Sequence, residues 1–397
     1  MKRTALFLLL VVALMLAACG PAAATEPEAC KAELGCAKIA KGQTVKIGYA
    51  GPMTGDYSQF GIDMSNAMKL AVADFGDVNG WKVDMAIEDD GASAEGGAAV
   101  ANKLVSDPTF VAMAGHAFSG ATAAAMPIYE KAGVPMMSPS ATNPDLTSKG
   151  SKVFNRNAFT DTDQGNSAAE YLFNTLKIKK LALMHDGGDY GQGLAKVVQA
   201  KFTSLGGEVV AFEAITPGES DYSAPLAAVA SKKPEALYFG GYNGEGSVLV
   251  NQLKQAGLEG VIFFGGDGIY GKDFLTKTGA NGEGVYAATL VPPTSDPISK
   301  FNKTYTDKYG TEPGVLSAYT WNSYDAVGSL VTAIKSVAIV QGDTLYIPRG
   351  ALVAAVRSMK DYKGLAGVIT CKENGECNAS GPVFYVIKGG AWVPAGK

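Results

Sequence analysis

Short apolar runs, many of them ending in glycine, alternate with segments of helical spacing, and this alternation restricts the fold more than any other property of the chain. Candidate strands fall at 45–49, 82–87, 110–114, 135–138, 181–185, 208–215, 236–239, 261–264 and 285–290. Candidate helices lie between or after them, near 61–75, 93–106, 120–132, 163–176, 191–205, 223–231, 245–256, 298–309 and 316–337. Strands separated by helices need crossover connections, which build βαβ units and parallel sheets. Val261-Ile262-Phe263-Phe264 is apolar throughout, as suits a strand covered on both faces. The tail reads as a hairpin, 383–387 and 391–393, turning on Gly389-Gly390. Roughly 350 ordered residues exceed one comfortable core, so two α/β lobes with doubly wound parallel sheets are expected. Such lobes bind ligands at the carboxyl ends of their strands, which puts a shared site in the cleft between them.

The start of the chain is of another kind. Met1-Lys2-Arg3 precedes an apolar run from Ala5 to Leu14, and Leu16-Ala17-Ala18-Cys19 follows. A cationic tip, a short apolar core and small residues make a secretory signal peptide over 1–18. The ending looks like a bacterial lipobox, which predicts acylation at Cys19, a spacer over 19–43 and an extracytoplasmic, membrane-tethered location. The apolar run is too short for a spanning helix, which needs about 20 residues. The chain holds 34 basic and 38 acidic residues, and loss of Lys2 and Arg3 with the signal leaves the mature form at −6. A mildly acidic chain offers no basic stripe, so nucleic acid is not an expected partner.

Four cysteines remain after Cys19, in two near pairs: Cys30 with Cys36, and Cys371 with Cys377. Outside the cytoplasm disulfides persist, and of the three possible connectivities the near pairs are favoured. A four-cysteine metal site would show tighter spacing. No metal or cofactor is expected. The two histidines, His116 and His185, are too few for a histidine-rich centre and read as structural. The phosphate-loop, His-Glu-x-x-His and Gly-x-Ser-x-Gly signatures are lacking. Gly266-Asp267-Gly268-Ile269-Tyr270-Gly271 does satisfy Gly-x-Gly-x-x-Gly after a strand. It sits late in the chain, however, and its acid would repel a pyrophosphate. Asp267 is better read as an acceptor for a cation.

A complementary pole lies at two other strand ends. The 110–114 strand runs into His116-Ala117-Phe118-Ser119-Gly120 where a helix begins, and the 135–138 strand runs into Ser138-Pro139-Ser140-Ala141-Thr142. A helix N-terminus presents unpaired N–H groups, and the hydroxyls of Ser119 and Thr142 add donors. Neighbouring strands lie about 5 Å apart, so the two hydroxyls can grip one carboxylate. An anion cradle facing a lone carboxylate has the polarity of an α-amino acid. Capping by Ser119 or Thr142 is the plainer reading of either residue alone.

At these residues the chain resembles the leucine/isoleucine/valine-binding proteins, the amino-acid-binding subunits of ABC importers with the type I periplasmic-binding fold. The likeness spans nearly the whole mature chain. It rests on Gly51-Pro52-Met53-Thr54-Gly55 with Gln59-Phe60-Gly61, on Gly115-His116 with Ser119, and on 139–147. Thr162-Asp163-Gln164-Gly165, His185-Asp186 with Tyr190-Gly191, Gly240-Gly241-Tyr242 and Gly265-Gly266-Asp267-Gly268 follow in family order. The resemblance implies that Ser119 and Thr142, with backbone N–H groups around Ala141, hold a ligand carboxylate. It implies that the Ser140 carbonyl and the Asp267 side chain take the ammonium, that Tyr190 and Tyr242 close over it, and that Phe60 and Phe118 line the side-chain pocket.

It also implies hinge crossings near 159–161, 288–291 and 366–370. One lobe then comprises 44–160 with 290–367, the other 161–289 with 368–397. The expected partners are a free amino acid, an ABC permease and, through the lipid, the membrane, with the chain acting as a monomer and not as an enzyme. Family members often carry Tyr in place of Phe60, Glu in place of Asp267 and Cys in place of Phe118. The likeness therefore extends to an amino acid and not to leucine in particular. Two rival readings keep the fold: a ligand-sensing module for a membrane receptor, and a carrier of short amides or urea-like solutes. A surface hydrolase has fold analogy alone behind it.

Overall fold

Two sheets organise the chain in the computed structural model, which describes residues 26–377 and 380–396. The signal peptide and Cys19 lie outside the described residues. The first sheet runs, in spatial order, Asp77–Val78, Trp81–Asp89, Val45–Gly51, Phe110–Met113, Met136–Ser138 and Phe154–Arg156. All neighbours are parallel except the Asp77–Val78 hairpin onto Trp81–Asp89. The second runs Ala391–Pro394, Val383–Lys388, Tyr286–Thr289, Ile262–Gly265, Ala236–Gly240, Lys180–His185 and Glu208–Ala214. Its five earlier strands are parallel, and the tail hairpin closes one edge antiparallel.

Each parallel sheet is sandwiched between two apolar clusters, as its unbroken apolar strands require. In the first lobe one cluster joins Ile47 and Tyr49 to Met64, Met68, Leu330 and Ile334. The other joins Phe110 and Met113 to Val100, Leu104 and Tyr129. In the second lobe Leu237 and Phe239 meet Leu249 and Phe274, while Leu183 and Tyr238 meet Val198 and Phe202.

The winding of the sheets positions the site. From Val45–Gly51 the chain goes first to Trp81–Asp89 on one side, then crosses to Phe110–Met113 on the other. Lys180–His185 is likewise flanked by the strand that follows it, Glu208–Ala214, and by the next, Ala236–Gly240. Both central strands therefore sit at a reversal of winding, where the loops leaving adjacent strands diverge and open a crevice.

The folded chain begins inside the stretch 19–43 expected as a spacer. Cys36–Ala40 is a strand paired antiparallel with Thr344–Pro348, which also pairs with Ile339–Gln341. Ala37 and Ile39 alternate inward and are fully buried, a pattern masked in the sequence by the alanine-rich stretch before it. Near the other end, residues 371–377 pack on the first lobe. The Cys377 N–H donates to the Arg156 carbonyl at 3.0 Å, and Cys377 joins the cluster around Ile47. Only 383–394 return to the second sheet. Both near cysteine pairs are joined, Cys30 to Cys36 and Cys371 to Cys377. Among the described residues no helix is long and apolar enough to cross a membrane.

Candidate functional site

On the first lobe, two loops are knitted together by their own side chains. Phe118 stands just before the helix Ser119–Ala132, and its carbonyl accepts from the Thr122 N–H at 2.9 Å and from the Thr122 hydroxyl at 2.8 Å. Ser119 Oγ accepts from the Asn143 N–H at 3.3 Å, which ties the helix start to the neighbouring loop. Ser138 Oγ donates to the His116 carbonyl at 2.8 Å and accepts from the Ala141 N–H at 3.0 Å. The Ser140 hydroxyl donates to the Ala117 carbonyl at 2.7 Å.

Buried Arg156 holds the 141–147 stretch from beneath. It donates to the carbonyls of Ala141 (2.9 Å) and Asn143 (2.7 Å) and to Thr147 Oγ1 (3.1 Å). Its charge is met by Glu376 at 2.6 Å, delivered by the Cys371–Cys377 loop. Burial pushes the Glu376 carboxyl up, but the Arg156 guanidinium beside it wins and holds it below the usual range.

On the second lobe Asp267 opens a short 3-10 turn after the strand Ile262–Gly265 and is 5% exposed. Its Oδ1 accepts from Tyr190 Oη at 2.8 Å and from Gln164 Nε2 at 2.6 Å, and its Oδ2 accepts from Tyr319 Oη at 2.7 Å. Tyr190 Oη accepts in turn from the Gly268 N–H at 3.1 Å. A side chain at position 268 would meet the Gly241 carbonyl and the rings of Tyr190 and Tyr242, so the backbone passes here only as glycine. Burial raises the Asp267 carboxyl, and the three neutral donors pull it back only in part; no cation is among them.

The two halves face one cavity of about 20 Å³. Phe60, Phe118, Ser119, Ser140 and Thr142 line it from the first lobe, and Tyr190, Tyr242 and Asp267 from the second. The structure thus brings together eight of the nine residues expected at a ligand site. Ala141 is fully buried behind the wall, its carbonyl taken by Arg156. Among the lining side chains there is one carboxylate and no lysine, arginine or histidine. His116 sits away from the cavity, between Asp90 Oδ2 at 2.9 Å and Tyr129 Oη at 3.1 Å.

The lobes meet around this cavity. Tyr57 Oη donates to both oxygens of buried Glu245 at 2.8 and 2.9 Å, and the Lys272 N–H donates to the Val315 carbonyl at 2.9 Å. Asn143 Nδ2 donates to the Asp189 carbonyl. The Phe118 ring stacks on Tyr242 with centroids 4.2 Å apart and planes 2° from parallel.

Sequence reasoning missed Tyr319 and Met64, which also line the cavity, and gave no role to Ala117 and Gly268, which lie in its motifs and line it too. It quoted Gln164 within a motif without giving it a role, and passed over Asp161. Asp161 is fully buried: its N–H donates to the Thr142 carbonyl at 2.9 Å, and its Oδ2 has no hydrogen-bond partner. Burial first, then the negative charge of Asp267, push its carboxyl well above the ordinary range. Among the described residues no group of three His, Cys, Asp or Glu is placed to hold a metal ion.

Comparison with known proteins adds an independent line. Residues 44–391 match the model of a periplasmic binding protein family. The leucine-specific-binding protein of Salmonella typhimurium is 33% identical over 348 residues, covering 87% of each chain. The Leu/Ile/Val-binding protein of Escherichia coli is 32% identical over 306 residues, 76% of this chain and 82% of its own. Among solved structures, the leucine-binding protein LivK of Thermotoga maritima superposes with a TM-score of 0.81 at 29% identity, over 89% of this chain and 98% of its own. The branched-chain amino acid transporter substrate-binding protein LivJ of Streptococcus pneumoniae, solved with isoleucine, gives 0.78 at 28%, over 88% and 98%.

Proposed function

Because the chain belongs to the periplasmic binding proteins, and within them to the leucine/isoleucine/valine-binding family, we propose that it is an extracytoplasmic solute-binding lipoprotein that captures a free amino acid, branched-chain or related, and delivers it to an ABC permease. In this reading Ser119 and Thr142 take the carboxylate, and the Ser140 carbonyl and Asp267 take the ammonium. Tyr190 and Tyr242 close over the ligand, and Cys19 carries the lipid that keeps the protein beside its permease. The protein acts as a monomer and is not an enzyme. The lobes correspond to 44–160 with 290–367 and to 161–289 with 368–397, less the 371–377 loop that packs on the first.

One observation carries the proposal: a buried carboxylate with no cation of its own, facing two hydroxyl-bearing strand ends across a cavity. A charge withdrawn from water without a partner costs several kcal/mol, which a ligand ammonium relieves. Closure then follows as a population shift, since the ligand touches groups of both lobes only when they meet.

The test is a thermal-shift screen against the free amino acids, repeated on the Ser119→Ala/Thr142→Ala variant. A ligand at 100 times its dissociation constant adds about 2.7 kcal/mol, a clear rise in melting temperature. The proposal expects such a rise for the native chain and its loss in a variant that still melts cooperatively. No rise with any amino acid would refute it.

A further inference from the structure

Thr142, read above as a holder of the ligand carboxylate, is fixed from both sides by a single nitrogen. Arg156 Nη1 donates to the carbonyl of Ala141 at 2.9 Å and to that of Asn143 at 2.7 Å, the residues on either side of it. The Thr142 carbonyl between them accepts from the Asp161 N–H at 2.9 Å. Three successive carbonyls of this loop are thus held before any ligand arrives.

Arg156 is fully buried, and its remaining N–H groups are also spoken for. Nη2 donates to Thr147 Oγ1 at 3.1 Å and to Glu376 Oε1 at 2.6 Å, and Nε donates to Glu376 Oε2 at 3.1 Å. Among the described residues Glu376 is the carboxylate paired with it, and Asp161 lies within reach of its charge. A buried cation that loses its counter-ion moves toward water or toward another carboxylate, here Asp161, and so lets go of the carbonyls around Thr142.

Glu376 reaches this place on a loop closed by the Cys371–Cys377 disulfide. The loop lies along the strand Phe154–Arg156: the Arg156 N–H donates to the Gly375 carbonyl at 3.0 Å, and the Cys377 N–H donates to the Arg156 carbonyl at 3.0 Å. A side chain at position 375 would lie 2.2 Å from the Phe154 carbonyl, so the turn comes this close only as glycine. Arg357 clamps the loop from its other side, donating to the Glu373 carbonyl at 2.6 Å and to Asn155 Oδ1 at 2.7 Å. Further on, the chain joins the second sheet at Val383–Lys388, so the disulfide keeps the loop on the first lobe wherever the second lobe stands.

We infer that the Cys371–Cys377 loop is a positioning device for the carboxylate end of the cleft. The disulfide sets Glu376, Glu376 holds Arg156, and Arg156 shapes the loop that carries Thr142. Affinity for an amino acid then depends on a disulfide whose sulfurs stand outside the cavity, a dependence that rests on the role of Thr142 proposed above. A loop that the ligand must order binds more weakly than one ordered beforehand, on the order of tenfold for each backbone residue left loose.

Hydrogen–deuterium exchange over 139–147 in the unliganded mature chain, together with titration with leucine, tests this on Cys371→Ser/Cys377→Ser and on the milder Glu376→Gln, which keeps the disulfide. Cys30→Ser/Cys36→Ser is the comparison, since it opens a loop of the same sequence separation, 6, at the strand Cys36–Ala40. The first two variants are expected to exchange faster over 139–147 and to bind leucine about tenfold or more weaker, while still melting cooperatively. The Cys30/Cys36 variant is expected to change neither, whatever its melting temperature. Native exchange over 139–147 in either of the first two variants, once folded, would overturn the inference. Equal effects of the two cysteine pairs would overturn it too, as the mark of general destabilisation. Absence of leucine binding to the native chain would count against the branched-chain reading alone, and the exchange measurement then decides the positioning role by itself.

Discussion

The phenol of Tyr319 crosses from the first lobe to Asp267 on the second, Oη to Oδ2 at 2.7 Å. Tyr319 is itself held from behind: its N–H donates to Ser317 Oγ, which donates to Asp63, whose carboxylate also accepts from Tyr305 and Thr320. The bond therefore links a rigid part of one lobe to the charged group of the other. Tyr319→Phe removes a donor from a buried carboxylate while leaving the ring in place. A hydrogen bond to a charged group contributes about 1.5–3 kcal/mol, so the variant is expected to melt several degrees lower without ligand. Unchanged melting would show that the contact does not hold the lobes together.

Asp267→Asn separates binding from stability. The substitution removes the charge proposed to meet the ligand ammonium, and losing one partner of such a pair costs about 2–5 kcal/mol, or roughly thirtyfold to several thousandfold in affinity. It also removes a carboxylate that burial disfavours in the unliganded protein. Calorimetry is expected to show the loss, and a melting curve taken without ligand is expected to show no drop. A variant that binds as tightly as the native chain would remove Asp267 from the site.

Stability should rise on mild acidification. Burial lifts the Asp325 carboxyl to about 7 and Asp63 to about 6, against donated bonds that act the other way, and Asp161 and Asp267 move in the same direction. A carboxyl whose folded value lies above its unfolded one near 4 binds its proton more readily in the native state. Its contribution is smallest above the folded value, grows as pH falls through it, and levels off below the unfolded value. Glu376, held low by Arg156, and Asp89, held low by its bond from Thr54, act oppositely and lose their contribution once pH drops below about 4. The melting temperature is thus expected to peak near pH 5 and to fall toward pH 8, at about 1.4 kcal/mol per pH unit for each titrating group. A flat profile between pH 5 and 8 would mean that these carboxylates are not buried as described.

Much of the fold was legible because parallel strands covered on both faces are apolar throughout and helices punctuate them. The short strand Phe154–Arg156 was not, since three residues ending in Asn and Arg carry no strand pattern; the charge of Arg156 is met inside the fold by Glu376, more than 200 positions away. That Asp267, Ser119 and Thr142 stand at strand ends was legible from the glycines and hydroxyl-rich loops around them, and all three line one cavity. The place of Tyr319 was not. The spacing put it inside a helix expected over 316–337, whereas the helix begins at Thr320 and Tyr319 stands just before it, between two residues that bond the buried Asp63. Nor could the sequence show that Phe118 and Tyr242, 124 positions apart, would meet face to face.

In the proposed reading the cleft recognises both charges of an α-amino acid, carboxylate on the first lobe and ammonium on the second. Titration with the tightest-binding amino acid, with its carboxamide and with the matching acid lacking the amino group tests it directly. The amino acid is expected to bind with each truncated analogue at least about a hundredfold weaker, since each leaves a buried group unpaired. Equal binding of either analogue would contradict the account.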